Sequence, residues 1–501
     1  MATGPDKPST TRDSQGDARR GAPRPAIERL EVDRVGIGQL VVMLVIGSVL
    51  SVAALSVAVI RAFALGAIPA PVFPLHIGSW VTYVSHQMPL PQMVVVSLAG
   101  MIGVAFAAVS LEVGGALLST LSLRRRKLGA YRHVREGGSS EPGPVNVTVV
   151  IPAHNEQATL PATLESLDRQ ARLPDRIIVV SDNSTDDTVE IARRHGAEIV
   201  TTVGNTQKKG GALNQALNTI LRGKGPSDAI LVMDADTVLS PKFIEVAARE
   251  LDDDPELAAV GAKFRGAAGA GIIGQFQRNE FLRYEAQISS RRGRVFVLTG
   301  TATMFRADAM LDIAAARGVY IPGASGQVYD TAALTEDNEI TLALKSLGAA
   351  IVSPTECVDV TEIMPTWRQL WRQRKRWQRG ALENLNQYGV TASTVRYWGQ
   401  QFGIGYGVVA LNSSIAFMVA TALSVDAWIW FPFWMAVTGG FIVERTITVW
   451  HGGWGARILS VLLLPEIGYA VFLQVVFVKS LIDIALGRTA SWGLEEEMFG
   501  V

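Results

Sequence analysis

Three short stretches of this 501-residue chain carry side chains that can do chemistry at the spacing they have. The first is Asp234-Ala235-Asp236, directly after the apolar run AILVM, Ala229–Met233. Two carboxylates in one short turn hold a divalent cation when phosphate oxygens and water complete its shell. A solvated turn explains the same residues more plainly. The second is LTEDNE, Leu334–Glu339, at the head of a helical pattern, TLALKSLG. Thr335 followed by acidic residues suits an N-terminal cap and the positive end of a helix dipole. The same place suits a general base, since a carboxylate among other carboxylates is tuned to accept a proton. The third, TWRQLWRQRKRWQRG from Thr366 to Gly380, gathers five arginines, one lysine and three tryptophans. As a helix it puts Gln373, Arg376 and Trp377 on one face at i, i+3 and i+4. Arginine grips phosphate with a bidentate fork, and an indole offers a flat apolar platform. Trp367, Leu370 and Trp371 form a neighbouring stripe. It either packs on the body or lies at a membrane interface, where tryptophans settle among headgroups and cations snorkel.

These stretches need a scaffold, and an α/β pattern supplies it. VTVVI (Val147–Ile151) and RIIVVS (Arg176–Ser181) are continuous apolar runs of strand length, each ending in polar residues before a helical pattern. Strands buried on both faces of a parallel sheet read this way. AEIV (Ala197–Val200) and AILVM continue the alternation. Ligands of open sheets bind beyond the carboxyl ends of the strands. Those ends carry Asn155 with Glu156, then Asp182, the loop before Lys208–Lys209, and Asp234 with Asp236. Lys209 precedes Gly210-Gly211 and a helix, a place to meet a phosphate, whereas Lys208 reads more plainly as a solvated loop charge. The single cysteine, Cys357, makes no intrachain disulfide and suits a small buried apolar position in a cytoplasmic body.

Apolar residues make up 48% of the chain, and 46 basic residues balance 46 acidic ones. No basic domain stands out, and no nucleic-acid partner is expected. Residues 1–35 read as a disordered cytoplasmic tail without a cleavable signal peptide. Residues 36–123 hold two expected spans, Ile37–Ile60 and Met93–Leu118, each as long as the roughly 20 residues that cross a bilayer. No lysine or arginine occurs from Ala62 to Leu123, and Arg124–Lys127 is RRRK. The positive-inside rule then puts the body in the cytoplasm and the Pro-rich loop between the two spans outside. Residues 124–365 form the expected catalytic body, 366–400 interfacial helices, and 401–501 a C-terminal membrane region. That region holds the apolar stretches Phe402–Val425, Ala427–Trp450 and Ile458–Val478. The last contains Pro465, Glu466 and Gln474, so it spans, bends or re-enters; the expected count is five spans in a multi-pass cell-membrane protein.

In order along the chain, VIPAHNE, SDNSTD, KKGGALN, VMDAD, TGTATMFR, TED and QRKRW resemble the motifs of membrane-integrated family 2 glycosyltransferases. That group includes cellulose, chitin and hyaluronan synthases and bacterial poly-N-acetylglucosamine synthases. The resemblance covers the chain from Val147 to Gln378, and any one motif alone is weakly specific. It implies a GT-A (Rossmann-like) cytoplasmic glycosyltransferase domain of α/β class inserted between transmembrane helices. It also implies that Glu156 and Asp182 hold the nucleotide base and ribose, with Lys209 near them. Asp234 contacts the nucleotide, and Asp236 ligates Mg2+ or Mn2+ at the diphosphate. Gly300 and Thr301 line the acceptor site, Glu336 belongs to the substrate site, and Asp337 is the general base. Gln373, Arg376 and Trp377 match QxxRW, with Arg376 neutralising the leaving diphosphate and Trp377 stacking on the acceptor sugar. Two departures stand out: Ser181 and Asn183 occupy positions where the family often has Asp and Gly. The loop Thr299-Gly300-Thr301 also lacks the cysteine of cellulose synthases, which weakens cellulose as the product.

The expected activity is inverting, processive transfer from a UDP-sugar to a growing polysaccharide that passes through the membrane. The expected partners are the UDP-sugar donor, a glycan or glycolipid acceptor and membrane lipids. A single transfer to a lipid uses similar motifs. A transporter fits poorly, because Glu112, Glu444, Arg445 and Glu466 lie near ends or bends of apolar segments. A catalytically dead scaffold would be expected to lack one of Asp236, Asp337 or Trp377, and all three are present.

Overall fold

Burial on both faces of one sheet organises the catalytic body. The computed structural model describes residues 72–85, 144–290, 295–424, 429–430 and 432–488. The N-terminal tail, the first two expected spans and the Arg124–Lys127 cluster lie outside the described residues. Strands β3 (Asn146–Ala153), β4 (Arg176–Ser181), β5 (Glu198–Thr201) and β6 (Asp228–Met233) pair in parallel in the order β6-β3-β4-β5. In β3, Val150 belongs to one apolar layer, and Val147, Val149 and Ile151 belong to the other. Both faces are therefore covered, which is why the runs are continuously apolar. Each such side chain contributes about 1.5–3 kcal/mol relative to exposure. Helices α1 (Leu160–Asp168), α2 (Thr188–Arg194) and α3 (Lys208–Ile220) return the chain between these strands. On α3 the buried Ala212, Leu213, Ala216, Leu217 and Ile220 repeat at helical spacing and pack on the Val150 layer.

The rest of the sheet is mixed. After α4 (Phe243–Asp253), β8 (Leu257–Gly261), β10 (Ala302–Arg306) and β11 (Ala350–Val352) extend it as β11-β8-β10-β6, with β10 antiparallel to β6 and β8. The reversal brings the Gly300-Thr301 turn to the carboxyl end of β6, where the Asp234 backbone N–H donates to Thr301 O at 2.9 Å. A smaller sheet of β7 (Val238–Leu239), β12 (Val358–Thr361) and β9 (Lys263–Gly266), in the order β7-β12-β9, continues from the Asp236 turn. Helices α5 (Gly271–Ser290) and α6 (Ala307–Ala316) follow β9 and β10, and α7 (Glu336–Ser346) begins with the TED motif.

The Trp- and Arg-rich stretch is α8 (Trp367–Tyr388), capped by Thr366, whose side chain accepts from Gln369 N at 3.3 Å. It is wedged between the body and the C-terminal helices. Leu385 and Tyr388 join the sheet's core, Leu370 packs with Phe276 and Tyr469, and Leu382 packs with Phe477 and Leu481. Trp367 and Trp371 meet Phe472, with ring centroids 5.1 and 5.8 Å apart. The stripe packs on Phe472 of the C-terminal helices and, through Phe276, on α5, while Trp367 stays 43% exposed.

Helix α9 (Val395–Ser424) runs unbroken across the expected boundary at residues 400–401. Ala427–Trp450 becomes α10 (Pro432–Thr448), 17 residues long. The expected segment Ile458–Val478 is two helices, α11 (Gly453–Val461) and α12 (Leu464–Ala485). The chain turns at Leu463, whose φ is 39°, and Pro465 sits in the first turn of α12, where its missing N–H costs nothing. Among the described residues, α12 alone is long and apolar enough to cross a membrane. Of the five expected spans, the first two lie outside the described residues, and of the three C-terminal segments only the one in α12 meets that length and hydropathy. The hairpin β1 (Val72–Ile77) and β2 (Trp80–Ser85) pairs with β13 (Ile429–Trp430), and Trp430 Nε1 donates to Thr82 Oγ1 at 2.9 Å. The segment between the first two expected spans therefore meets the segment between α9 and α10.

The TED helix and α8 touch at a glycine. A Cβ on Gly380 would lie 2.5 Å from Thr335 Oγ1 and 2.8 Å from its Cγ2. Thr335 makes no side-chain cap on α7, against the capping expectation; its hydroxyl instead accepts from Asn384 Nδ2 at 3.3 Å. Gly380→Ala is expected to destabilise by about 1–3 kcal/mol through overpacking. An unchanged melting temperature in detergent would contradict this close approach.

Candidate active site

Lys209, at the start of α3, lies between two motifs that are 102 residues apart in the chain. Its Nζ is 2.6 Å from Asp234 Oδ1, 2.8 Å from Glu336 Oε1 and 3.4 Å from Gly300 O. Lys209 pairs directly with the β6 turn and TED, while the neighbouring Lys208 O shares Asn205 Nδ2 with Asp182 Oδ2, 2.8 Å from each. Burial opposes the ammonium charge, but Asp234 and Glu336 outweigh it and hold its pKa well above the usual lysine value. Glu336 is the reciprocal case, lowered because Lys209 overcomes its burial.

The other carboxylates shift upward. Burial, reinforced by Asp236 and Glu336, pushes Asp234 up to about 6 despite Lys209. Asp236 is raised by burial and by Glu156, and its side chain accepts from Thr237 Oγ1 at 3.2 Å. Asp337 is pushed up to about 6 by burial and by Glu336, with Lys209 and Arg376 opposing. Its Oδ2 accepts from Gly300 N at 3.2 Å and its Oδ1 from Asn338 N at 2.7 Å. A Cβ on Gly300 would stand 3.2 Å from that same Oδ2, so the turn leaves little room beyond glycine.

The first two strand ends interlock. Asn155 Oδ1 accepts from Thr185 N at 2.8 Å, and both Asn155 and Asn183 adopt positive φ. Glu156 is half-buried, its Oε2 accepting from Thr159 Oγ1 at 2.7 Å, and burial raises its pKa. Asp182 Oδ1 accepts from Thr202 Oγ1 and Oδ2 from Asn205 Nδ2, both at 2.8 Å. Lys208 also has positive φ, rare for a residue with a Cβ. It lines a cavity of about 270 Å³ with Thr206, Gln207, Asp330, Glu336 and Glu383. Glu156, Asp182 and Asp236 do not line it.

From α8, Arg376 acts on Glu336 and Asp337, lowering both. Gln373 Oε1 accepts from Arg374 at 2.9 Å, and the Arg374 guanidinium lies 4.2 Å from the Trp377 ring centroid. The structure thus joins Lys209, Asp234, Glu336, Asp337, Gly300 and Arg376 through direct contacts and charge effects, and Glu156 through its effect on Asp236.

Several contributors escaped sequence reasoning. Asp359 on β12 is fully buried and pushed up to about 7 by burial and by Asp234 and Asp236. The Thr301 hydroxyl offsets part of that, yet neither it nor either Asp359 oxygen completes a well-shaped hydrogen bond. Glu339 is not merely a first-turn acid. Its carboxylate takes a bidentate bond from fully buried Arg317, at 2.8 and 2.7 Å, and one from the Tyr388 hydroxyl at 2.5 Å. That anchors α7 to α8. No local signal in the sequence marks Arg317 or Asp359 as partners of these motifs.

The pKa of Asp337 gives a stability prediction. Raised above the ordinary carboxyl value, Asp337 keeps its proton in the folded state through a pH window, about 4 to 6, in which the unfolded chain has lost it. That contribution is present at low pH and is lost as pH rises through about 6. Asp337→Asn should therefore raise the melting temperature by roughly 2–4 °C at pH 8 and by much less at pH 4. A gain equal at both pH values would contradict the shift.

The description "Glycosyl transferase family 2" matches residues 148–313. A probable glycosyltransferase of Bacillus subtilis, YdaM, is 31% identical over 255 residues, 49% of this chain and 56% of that one. A poly-beta-1,6-N-acetyl-D-glucosamine synthase of Staphylococcus aureus is 24% identical over 245 residues, 48% of this chain and 55% of the other. The chain spans about half the length of these curated relatives. Among solved structures, a mannosyltransferase of Pyrobaculum calidifontis in complex with GDP-Man and Mn2+ aligns with 76% of this chain and 98% of its own, at 17% identity and a TM-score of 0.46. That score is too low to carry an argument. With the motif order, the α/β sheet and the matched residues together, the chain carries a family 2 glycosyltransferase domain.

Proposed function

We propose that the protein is an inverting, membrane-embedded transferase that moves a sugar from a UDP-sugar donor to a growing polysaccharide. The observation that carries the reading is Asp337, a shielded carboxylate with a pKa near 6, which lies against Gly300 and is influenced by Arg376. A base tuned near the working pH accepts a proton efficiently. Asp337 takes the proton of the acceptor hydroxyl as that oxygen attacks the anomeric carbon. The bond from that carbon to the UDP oxygen breaks in the same displacement, with no covalent sugar–enzyme intermediate. Arg376 bears on the charge that develops on the leaving diphosphate. Glu156 and Asp182, at the ends of β3 and β4, bind base and ribose, Gly300 and Thr301 border the acceptor, and Trp377 is its platform.

The residues fit a divalent cation held jointly with the donor. Asp234 raises Glu156 and Asp359, Asp236 raises Asp234 and Asp359, and Glu156 raises Asp236, while neither buried Asp359 oxygen completes a well-shaped hydrogen bond, so the cluster is short of positive charge. Yet among the described residues no group of three or more His, Cys, Asp or Glu side chains could hold an ion by itself. Asp236, with Asp234 beside it, would hold Mg2+ or Mn2+ once diphosphate oxygens supply the remaining ligands. The ion would supply electrostatic stabilisation of the diphosphate.

UDP release by purified protein, offered each UDP-sugar with Mn2+, should rise for one donor and vanish in EDTA and in Asp236→Asn. Full activity in EDTA would contradict the metal assignment. A ladder of products supports polymerisation, whereas a single glycolipid product would replace it with one transfer to a lipid. For topology, His76→Cys and Leu173→Cys place thiols on the β1 strand and on the catalytic body. An impermeant reagent should label only the first in intact cells; labelling of the second alone would invert the arrangement.

A further inference from the structure

Arg374 falls at an unspecified position of QxxRW, and none of the roles above uses it. It is nonetheless the most connected side chain around the tryptophan. Only 4% exposed, it donates to Glu280 Oε2 at 2.9 Å and to Gln373 Oε1 at 2.9 Å. Its guanidinium lies 4.2 Å from the Trp377 ring centroid, with Phe281 at 5.6 Å. Glu280, on α5, in turn accepts from the Tyr469 hydroxyl of α12 at 2.6 Å. A chain of contacts thus runs from the apolar helix α12 through α5 to the indole and amide of the motif.

We propose that Arg374 is a positioning residue: it covers one face of Trp377 by cation–π contact, orients Gln373, and so presents the opposite indole face to the acceptor sugar. This rests on the reading of Trp377 as the acceptor platform. The physical case has three parts. An indole beside a loose surface rotates about two side-chain torsions, and a guanidinium over its face removes that freedom while favouring the electron-rich ring. Arginine suits the task because its planar fork binds Glu280 and Gln373 edge-on while its flat face stays free for the ring. The carboxylate of Glu280, held by Tyr469, fixes the guanidinium, so the ring's angle is set by the packing of α5 and α12 rather than by α8 alone. The helix long and apolar enough to cross a membrane thereby bears on where the sugar rests.

The test measures the ratio of sugar transfer to donor hydrolysis, which is insensitive to how much protein folds. It uses the full chain in detergent, the UDP-sugar that supports UDP release, and the acceptor product as primer. Arg374→Gln should lower the ratio about tenfold, since small misplacements of a reacting group cost up to about 10²-fold. The KM for donor should stay within about twofold, because donor contacts lie elsewhere. Arg374→Lys keeps a cation beside the ring but loses the planar fork, and should restore only part of the ratio. Tyr469→Phe, which preserves packing and frees Glu280, should give a smaller fall and serves if Arg374→Gln fails to fold. If Trp377→Ala lowers the ratio but Arg374→Gln and Tyr469→Phe leave it unchanged, the inference is overturned and the platform reading stands. If Trp377→Ala itself leaves the ratio unchanged, the platform reading falls and this inference with it. A parallel loss of transfer and hydrolysis in Arg374→Gln, at constant ratio, marks a structural role and also overturns the proposal.

Discussion

Lys209 Nζ lies within 2.8 Å of two carboxylates from different parts of the chain, Asp234 after β6 and Glu336 at the head of α7. Burying an ammonium and a carboxylate costs several kcal/mol per ion unless the geometry is good and the pairing complete. Here one cation serves two anions, so removing it would leave two shielded carboxylates facing each other with Asp236 and Asp337 close behind. The site's charge balance depends on this arrangement. Asp337 has a pKa of about 6 because burial and Glu336 push it up, while the Asn338 backbone N–H and then Lys209 and Arg376 restrain it.

The same contact fixes geometry. Lys209 begins α3, whose buried face is part of the sheet's core, and its ammonium reaches the first residue of α7. Arg317 and Tyr388 hold Glu339 one turn further along α7, and Gly380 lets α8 approach Thr335. Three helices are thereby locked around one small volume, with Asp337 and Arg376 facing it from different helices. Function and stability pull in opposite directions there, since the raised carboxylates are a cost of folding at neutral pH that a catalytic base requires.

Much of this was legible in the sequence, for particular reasons. The runs VTVVI, RIIVVS and AILVM announce strands because burial on both faces forbids polar interruptions. The short motifs announce the site because each holds its chemistry within a few residues. Nonlocal pairing left no such trace. Nothing near Lys209 says that its ion-pair partners lie at 234 and 336. Thr335 looked like a cap, but the close approach of α8 turned its hydroxyl towards Asn384. No local signal marks Asp359, and only its place in the second sheet shows it to be buried. In the C-terminal region hydropathy marked apolar segments without marking where Leu463 breaks one of them.

The central claim is that Lys209 holds Asp337 in the range where it can serve as a base. The pH dependence of sugar transfer by Lys209→Met, against that of the parent, tests it most directly. The parent should lose activity as pH falls through about 6, where Asp337 takes up its proton. In Lys209→Met the residual activity should lose its acid limb at a clearly higher pH, because one of the two cations that stabilise the carboxylate is gone. A residual profile with the limb unmoved, or a parent profile flat from pH 5 to 8, would contradict the account.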